Sequence, residues 1–122
     1  FLGGIYFNDK KFLKYSEKIL CNELDKQILS DGAHYELSPM YHLILLERIF
    51  ETIIFLKSNN LKDLYVYDVL IEKSIKMISW ISNIVYKDFS FPLVNDSAKN
   101  IGINYNEISL YEKIINLGKI KI

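Results

Sequence analysis

The sequence predicts an all-α fold built from helical hairpins, and three observations predict it. Apolar residues recur at three- and four-residue steps through four long stretches. The isoleucine- and leucine-rich runs are too long for strands and lack period-two alternation. Helix punctuation stands at element ends, above all Ser38-Pro39 at a start and Gly118 at a finish.

The first helix is predicted over about 9 to 28, on a stripe of Phe12, Ile19, Leu20, Leu24 and Ile28, with polar Ser16 and Glu23 on or near it. The second opens at Ser38, a good N-cap, with Pro39 at the first helical position, where its missing N–H costs nothing. Its apolar set is Met40, Leu43, Ile44, Phe50, Ile53 and Ile54. The third is predicted over about 61 to 86, carrying Leu64, Val69, Ile71, Ile75, Ile78, Ile81 and Ile84. The fourth runs from about 106 to Gly118, a residue suited to a left-handed cap. Between the last two lies "KDFSFPLVNDSAKNIGIN", without helical period, and Phe91-Pro92 makes that piece extended.

The chain of 122 residues suits one small domain, and its 50% hydrophobic content is ample for a core. Fifteen basic and fifteen acidic residues give zero formal net charge, which argues against a nucleic-acid partner or a polybasic membrane surface. The basic residues are scattered lysines apart from Arg48. No apolar run is long enough to span a bilayer, since "YHLILLERIFETIIFL" is interrupted by Glu47, Arg48 and Glu51. Cys21 is alone, so it reads as a small core residue and leaves the compartment open. The opening "FLGGIYF" reads like the end of a helix entered mid-course, without a starting methionine. Two hairpins also suit stacked helix-pair solenoids or α/α toroids, which need further pairs to bury their faces. A fragment of a longer protein is therefore expected.

The segment "SDGAHYELSPMYHLILLERIFE", residues 30–51, concentrates the reactive groups. Asp31-Gly32 is a turn signal. His34, Tyr35, Glu36, Tyr41 and His42 follow around a helix start, and ordinary loop packing accounts for all of them by spacing alone. A metal site is not expected: His34, Glu36 and His42 offer no helical pair, because Ser38-Pro39 interrupts the helix between them. No serine or cysteine stands in an activating context, and no cofactor is called for. Tyr41 is different. It falls in the first helical turn, where free N–H groups and the helix dipole favour negative charge by roughly 0.3–1 kcal/mol, up to about 2 in partly buried geometry. A free tyrosine has a pKa of about 10, and lowering it to about 8 takes roughly 2.7 kcal/mol. The helix terminus supplies part of that and a nearby protonated histidine or arginine the rest. The position suits a tyrosine that gives and takes a proton.

The stretch "ELDKQILSDGAHYELSPMYHLILLERIFE" closely resembles a signature of heparinase II/III-like proteins of the form DGGHFExSPxYH. Asp31, Gly32, His34, Glu36, Ser38, Pro39, Tyr41 and His42 all match. Ala33 stands where a second glycine is usual and Ser30 where proline is common, and neither change removes a reactive group. Downstream, "MISWISNIVYKDFSFPLVNDSAKNIG" resembles the family's later segment, where a Trp-bearing helix leads to a loop of the form FNDSA. The two matches and the helices between them cover nearly the whole chain.

The resemblance implies part of an α/α toroid from a polysaccharide lyase, normally followed by a β-sandwich domain. It implies β-elimination at a uronic acid: a base removes the C5 proton, an acid protonates the departing O4 oxygen, and an unsaturated sugar remains. The tyrosine matching Tyr41 is that acid, and with some substrates the base too. An asparagine, often in an Asn-His pair, neutralises the uronate carboxylate in such enzymes. That pair belongs on a preceding helix, and a further histidine on the β-sandwich, so the segment alone is expected to be inactive. His34, Glu36, His42, Asn95 and Asp96 match the family pattern and are expected to line or brace the cleft. The implied partner is an acidic, uronate-containing polysaccharide, such as a bacterial surface or capsular glycan. Balanced charge with one arginine does not suit a densely sulfated polymer. Lyase relatives are periplasmic or secreted, and a cytoplasmic location stays open. Two other readings also stay open: a non-catalytic relative that binds carbohydrate or serves polysaccharide biosynthesis, and a plain helical scaffold.

Overall fold

A computed structural model describes residues 1–115. It is all-helical, with α1 at Leu2–Tyr6, α2 at Lys10–Gln27, α3 at Pro39–Ser58, α4 at Tyr65–Ile84 and α5 at Tyr105–Ile115. Among the described residues the only extended pairing is an isolated bridge between Ile28 and His34. The predicted cap at Gly118 lies outside the described residues.

α2 starts where Asp9 accepts the Phe12 N–H at 3.0 Å and ends at Ile28, whose backbone turns extended. α3 starts at Ser38, with Pro39 first in the helix. Its interior is apolar over most of its circumference, the pattern of a central helix. His42, Leu43, Leu46, Ile49, Phe50, Ile53 and Leu56 are all buried along it. α4 returns as the second arm of a hairpin: His42 near the start of α3 meets Met77 and Trp80 late in α4. α2 packs on α4, α5 on α3, and α1 on α2. Lys73 of α4, largely covered, reaches Asp25 of α2 at 2.7 Å.

Three sequence expectations shift. The third helix begins at Tyr65 rather than 61, because residues 61–64 form a turn that leaves Leu64 extended. Its deepest stripe is Val66, Leu70, Ser74, Met77, Ile78 and Ile81, so of the expected set only Ile78 and Ile81 are fully buried. The isoleucines Ile71, Ile75 and Ile84 lie on the flanks, half buried. Ser74 occupies a core position because its hydroxyl donates back to Ile71 O at 2.8 Å, which satisfies it without a tertiary partner. On α2, Phe12 and Ile19 of the expected stripe stay exposed, while Leu24 and Ile28 are buried and Leu20 and Cys21 pack half buried against the core.

Candidate functional site at the start of α3

Two irregular segments, residues 28–38 and 85–104, converge on the first turn of α3. Gly32 seats the first. Its φ of +95° is a conformation L side chains rarely adopt, and a Cβ there would overlap the Lys76 carbonyl of α4. Asp31 Oδ1 accepts the Ala33 N–H at 3.0 Å, so the turn closes on its own side chain. Ala33 and His34 are then buried against the hairpin.

His42 is fully buried and both ring nitrogens are occupied. Nε2 lies 2.9 Å from Met77 O, and a carbonyl only accepts, so the hydrogen is on Nε2. Nδ1 therefore accepts the His34 N–H at 3.3 Å. Burial drives the His42 pKa down to about 4, so the ring is neutral at pH 7 and ties segment 28–38 to α4. Trp80 closes over it with ring centroids 4.8 Å apart.

His34 has one free side. Its Nδ1 accepts the Glu36 N–H at 3.4 Å, which puts the hydrogen of the neutral ring on Nε2. Nε2 makes no hydrogen bond among the described residues and is not fully enclosed, so it is the one polar edge that this largely buried ring leaves open. Burial lowers the pKa of this ring, with Glu36 opposing.

The second segment is clipped to the helix start. Ser38 Oγ caps the Tyr41 N–H at 3.4 Å and donates to Asp96 O at 3.1 Å. Ser97 Oγ sits 2.8 Å from Ser38 Oγ and accepts the Met40 N–H at 3.4 Å. Asn95 Nδ2 donates to Leu37 O at 2.7 Å. Leu37 and Asn95 both have positive φ, 54° each, so this bond joins two residues in the left-handed region. Ser97 was not singled out from sequence. Its one signal is its place directly after Asn95-Asp96 in the FNDSA-like stretch.

Tyr41 is half exposed, and its hydroxyl donates to Asp96 Oδ2 at 2.9 Å across 55 positions of chain. The Asp96 hydrogen bond, then its charge, then burial and the more distant Glu36, raise the phenol pKa above its usual value of 10.0. This reverses the lowering expected from the helix terminus. A carboxylate in direct contact outweighs a partial charge at the helix end, and the neighbouring histidine is neutral. His34 and Tyr41 lie with ring centroids 6.4 Å apart, and Glu36 accepts the Tyr35 hydroxyl at 3.0 Å.

The structure thus brings His34, Glu36, Tyr41 and Asp96 to one surface, with Asn95 and His42 beneath or beside them as ties. A cavity of about 630 Å³ opens on the other side of the helix start, lined by Met40, Leu43, Phe89, Phe91 and Ile103 among others; Tyr41, His34 and Asp96 do not line it. Among the described residues, no three His, Cys, Asp or Glu side chains are grouped to hold a metal ion, and no helix is long and apolar enough to cross a membrane.

Comparison with known proteins bears on this surface directly. The family described as heparinase II/III N-terminus matches residues 6–114, a span that includes every group just named. A heparin-sulfate lyase of Bacteroides stercoris is 30% identical over 104 residues, covering 78% of this chain and 15% of that protein. No solved structure matches. The chain belongs to the heparinase II/III N-terminal family.

Proposed function

We propose that this chain supplies the tyrosine acid of a polysaccharide lyase that cleaves uronate-containing chains by β-elimination. One observation carries the reading: Tyr41 stands half exposed at a capped helix start with its hydroxyl hydrogen held by Asp96. A protonated phenol at the surface is the form an acid needs. In the reaction a base takes the C5 hydrogen, its electrons form the C4–C5 double bond, and the C4–O4 bond breaks. The Tyr41 hydrogen turns from Asp96 to the departing O4 and is transferred to it; the phenolate then recovers a proton from water, and the protonated base gives up its proton to water.

The other groups take supporting roles in this reading. The outward Nε2–H of His34 is a donor for a substrate oxygen about one ring away from Tyr41. His42 and Asn95 fix the two segments that frame the tyrosine. Glu36 and Asp96 are carboxylates, so the uronate carboxylate is seated away from them and neutralised by a donor outside this chain. The five helices belong to an α/α toroid that continues beyond residues 1–122, and a β-sandwich domain supplies the remaining groups. The substrate is an acidic polysaccharide rather than a densely sulfated one, in keeping with the zero formal net charge.

The complete protein carrying this chain, incubated with a panel of uronic-acid polysaccharides, should release product absorbing in the ultraviolet as an unsaturated uronate. A folded Tyr41→Phe variant should lose that signal by at least about a hundredfold, the low end of general acid catalysis. Equal rates in the two proteins would remove Tyr41 from the chemistry. A binding relative would show retention of the same polymers with no absorbance change.

A further inference from the structure

We propose that Asp96 is a positioning residue for Tyr41, holding the phenol in place and protonated and so confining the tyrosine to the acid half of the elimination. The proposal rests on the reading of Tyr41 given above. Its basis is geometric. Asp96 comes from a segment 55 positions away, and four contacts hold that segment at the helix start: Ser38 to Asp96 O, Ser38 to Ser97, Met40 to Ser97, and Asn95 to Leu37. The Asp96 side chain is left with one described partner, the Tyr41 hydroxyl at 2.9 Å.

A phenol and a carboxylate share a hydrogen unequally. A phenol is a far weaker acid than a carboxylic acid, so the shared hydrogen stays on the tyrosine at neutral pH. A phenolic hydroxyl turns about a single bond, so the hydrogen resting on Asp96 can turn to the leaving oxygen when substrate arrives. The charged carboxylate also disfavours the phenolate, so Tyr41 stays protonated into the alkaline range and is withheld from acting as a base. The titratable groups facing Tyr41 are Glu36 and His34 from segment 28–38 and Asp96 from segment 85–104. His34 is neutral at pH 7 because burial lowers its pKa. Removing the Asp96 charge leaves the weaker effect of Glu36.

The test uses the complete protein with Asp96→Asn, which keeps shape but not charge, and Asp96→Glu, which keeps charge. Spectrophotometric titration of each background, with and without Tyr41→Phe, isolates the ionisation of Tyr41 by difference. Circular dichroism in the same titration confirms that each variant is folded. The Tyr41 midpoint should lie above the usual tyrosine value in the parent and fall in Asp96→Asn. The alkaline limb of kcat/KM should move down with it, and Asp96→Glu should stay nearer the parent in both. An unchanged or higher midpoint in Asp96→Asn overturns the proposal. A midpoint that falls while the alkaline limb stays fixed overturns it too, since the contact would then have no part in the reaction. Tyr41→Phe with full elimination activity would overturn the acid reading itself, and that failure is visible separately from the titration.

Discussion

The two irregular segments that meet at α3 are held in opposite ways. Segment 28–38 is built into the core: Gly32, Ala33, His34 and Ser38 are buried, and its backbone is tied by Leu29–Ala33 and Tyr35–Gln27 bonds of 2.8 Å and by the His42 ring. Segment 85–104 is mostly exposed, and its ties to the helix start are gathered at residues 95–97. The same contrast appears within one helical turn. His42 points inward with both nitrogens satisfied, while its neighbour Tyr41 points outward with its hydroxyl on a carboxylate. The first segment sets where the helix start stands, and the second sets what the tyrosine meets there. Substitutions in the first should register in stability, and substitutions in the second in the chemistry of the site.

The largest stability effect is expected at Gly32. Alanine there combines a left-handed backbone with overlap on the Lys76 carbonyl, and should cost on the order of 3 kcal/mol or more in denaturant unfolding. A loss below about 1 kcal/mol would show that segment 28–38 is not seated on α4.

His42 comes next. His42→Ala should cost about 2–4 kcal/mol, since it opens a buried space and leaves Met77 O and the His34 N–H without their partner. The same ring gives a pH signature. Its pKa is about 4 in the fold against 6.5 unfolded, so between those values the unfolded chain binds more protons and stability rises with pH. The stabilisation is complete above about pH 6.5 and is lost as pH falls towards 4, roughly 3 kcal/mol in all. His42→Gln should flatten that slope, and an unchanged slope would place its origin elsewhere.

Asn95→Ala should cost about 1 kcal/mol, the value of one hydrogen bond, because it frees Leu37 O without touching the core. A loss as large as that of His42→Ala would erase the contrast between the segments. Smallest of all, Tyr41→Phe should change stability by less than about 0.5 kcal/mol, since the hydroxyl it removes is at the surface.

Much of this was legible in the sequence, and the reasons are local. Ser38-Pro39 is a helix start by its own chemistry, and Asp31-Gly32 is a turn by its own chemistry, so both appear where the residues put them. The α4 stripe was harder to read because half-buried isoleucines flank it and a serine sits in its centre, satisfied by its own helix. The tyrosine's electrostatics could not be read from its neighbours in the chain. The helix terminus is visible in sequence and argues for a lowered pKa, whereas the Asp96 contact spans 55 positions and decides the opposite direction. Likewise, the outward side of His34 is set by the Glu36 N–H that occupies its other nitrogen.

The most direct test is made at Tyr41 in the complete protein. Unfolding midpoints and formation of the unsaturated uronate would be measured for the parent and for Tyr41→Phe. Tyr41→Phe should leave the midpoint essentially unchanged and reduce elimination at least about a hundredfold. Parent-like elimination by a folded Tyr41→Phe protein would contradict the acid role of Tyr41.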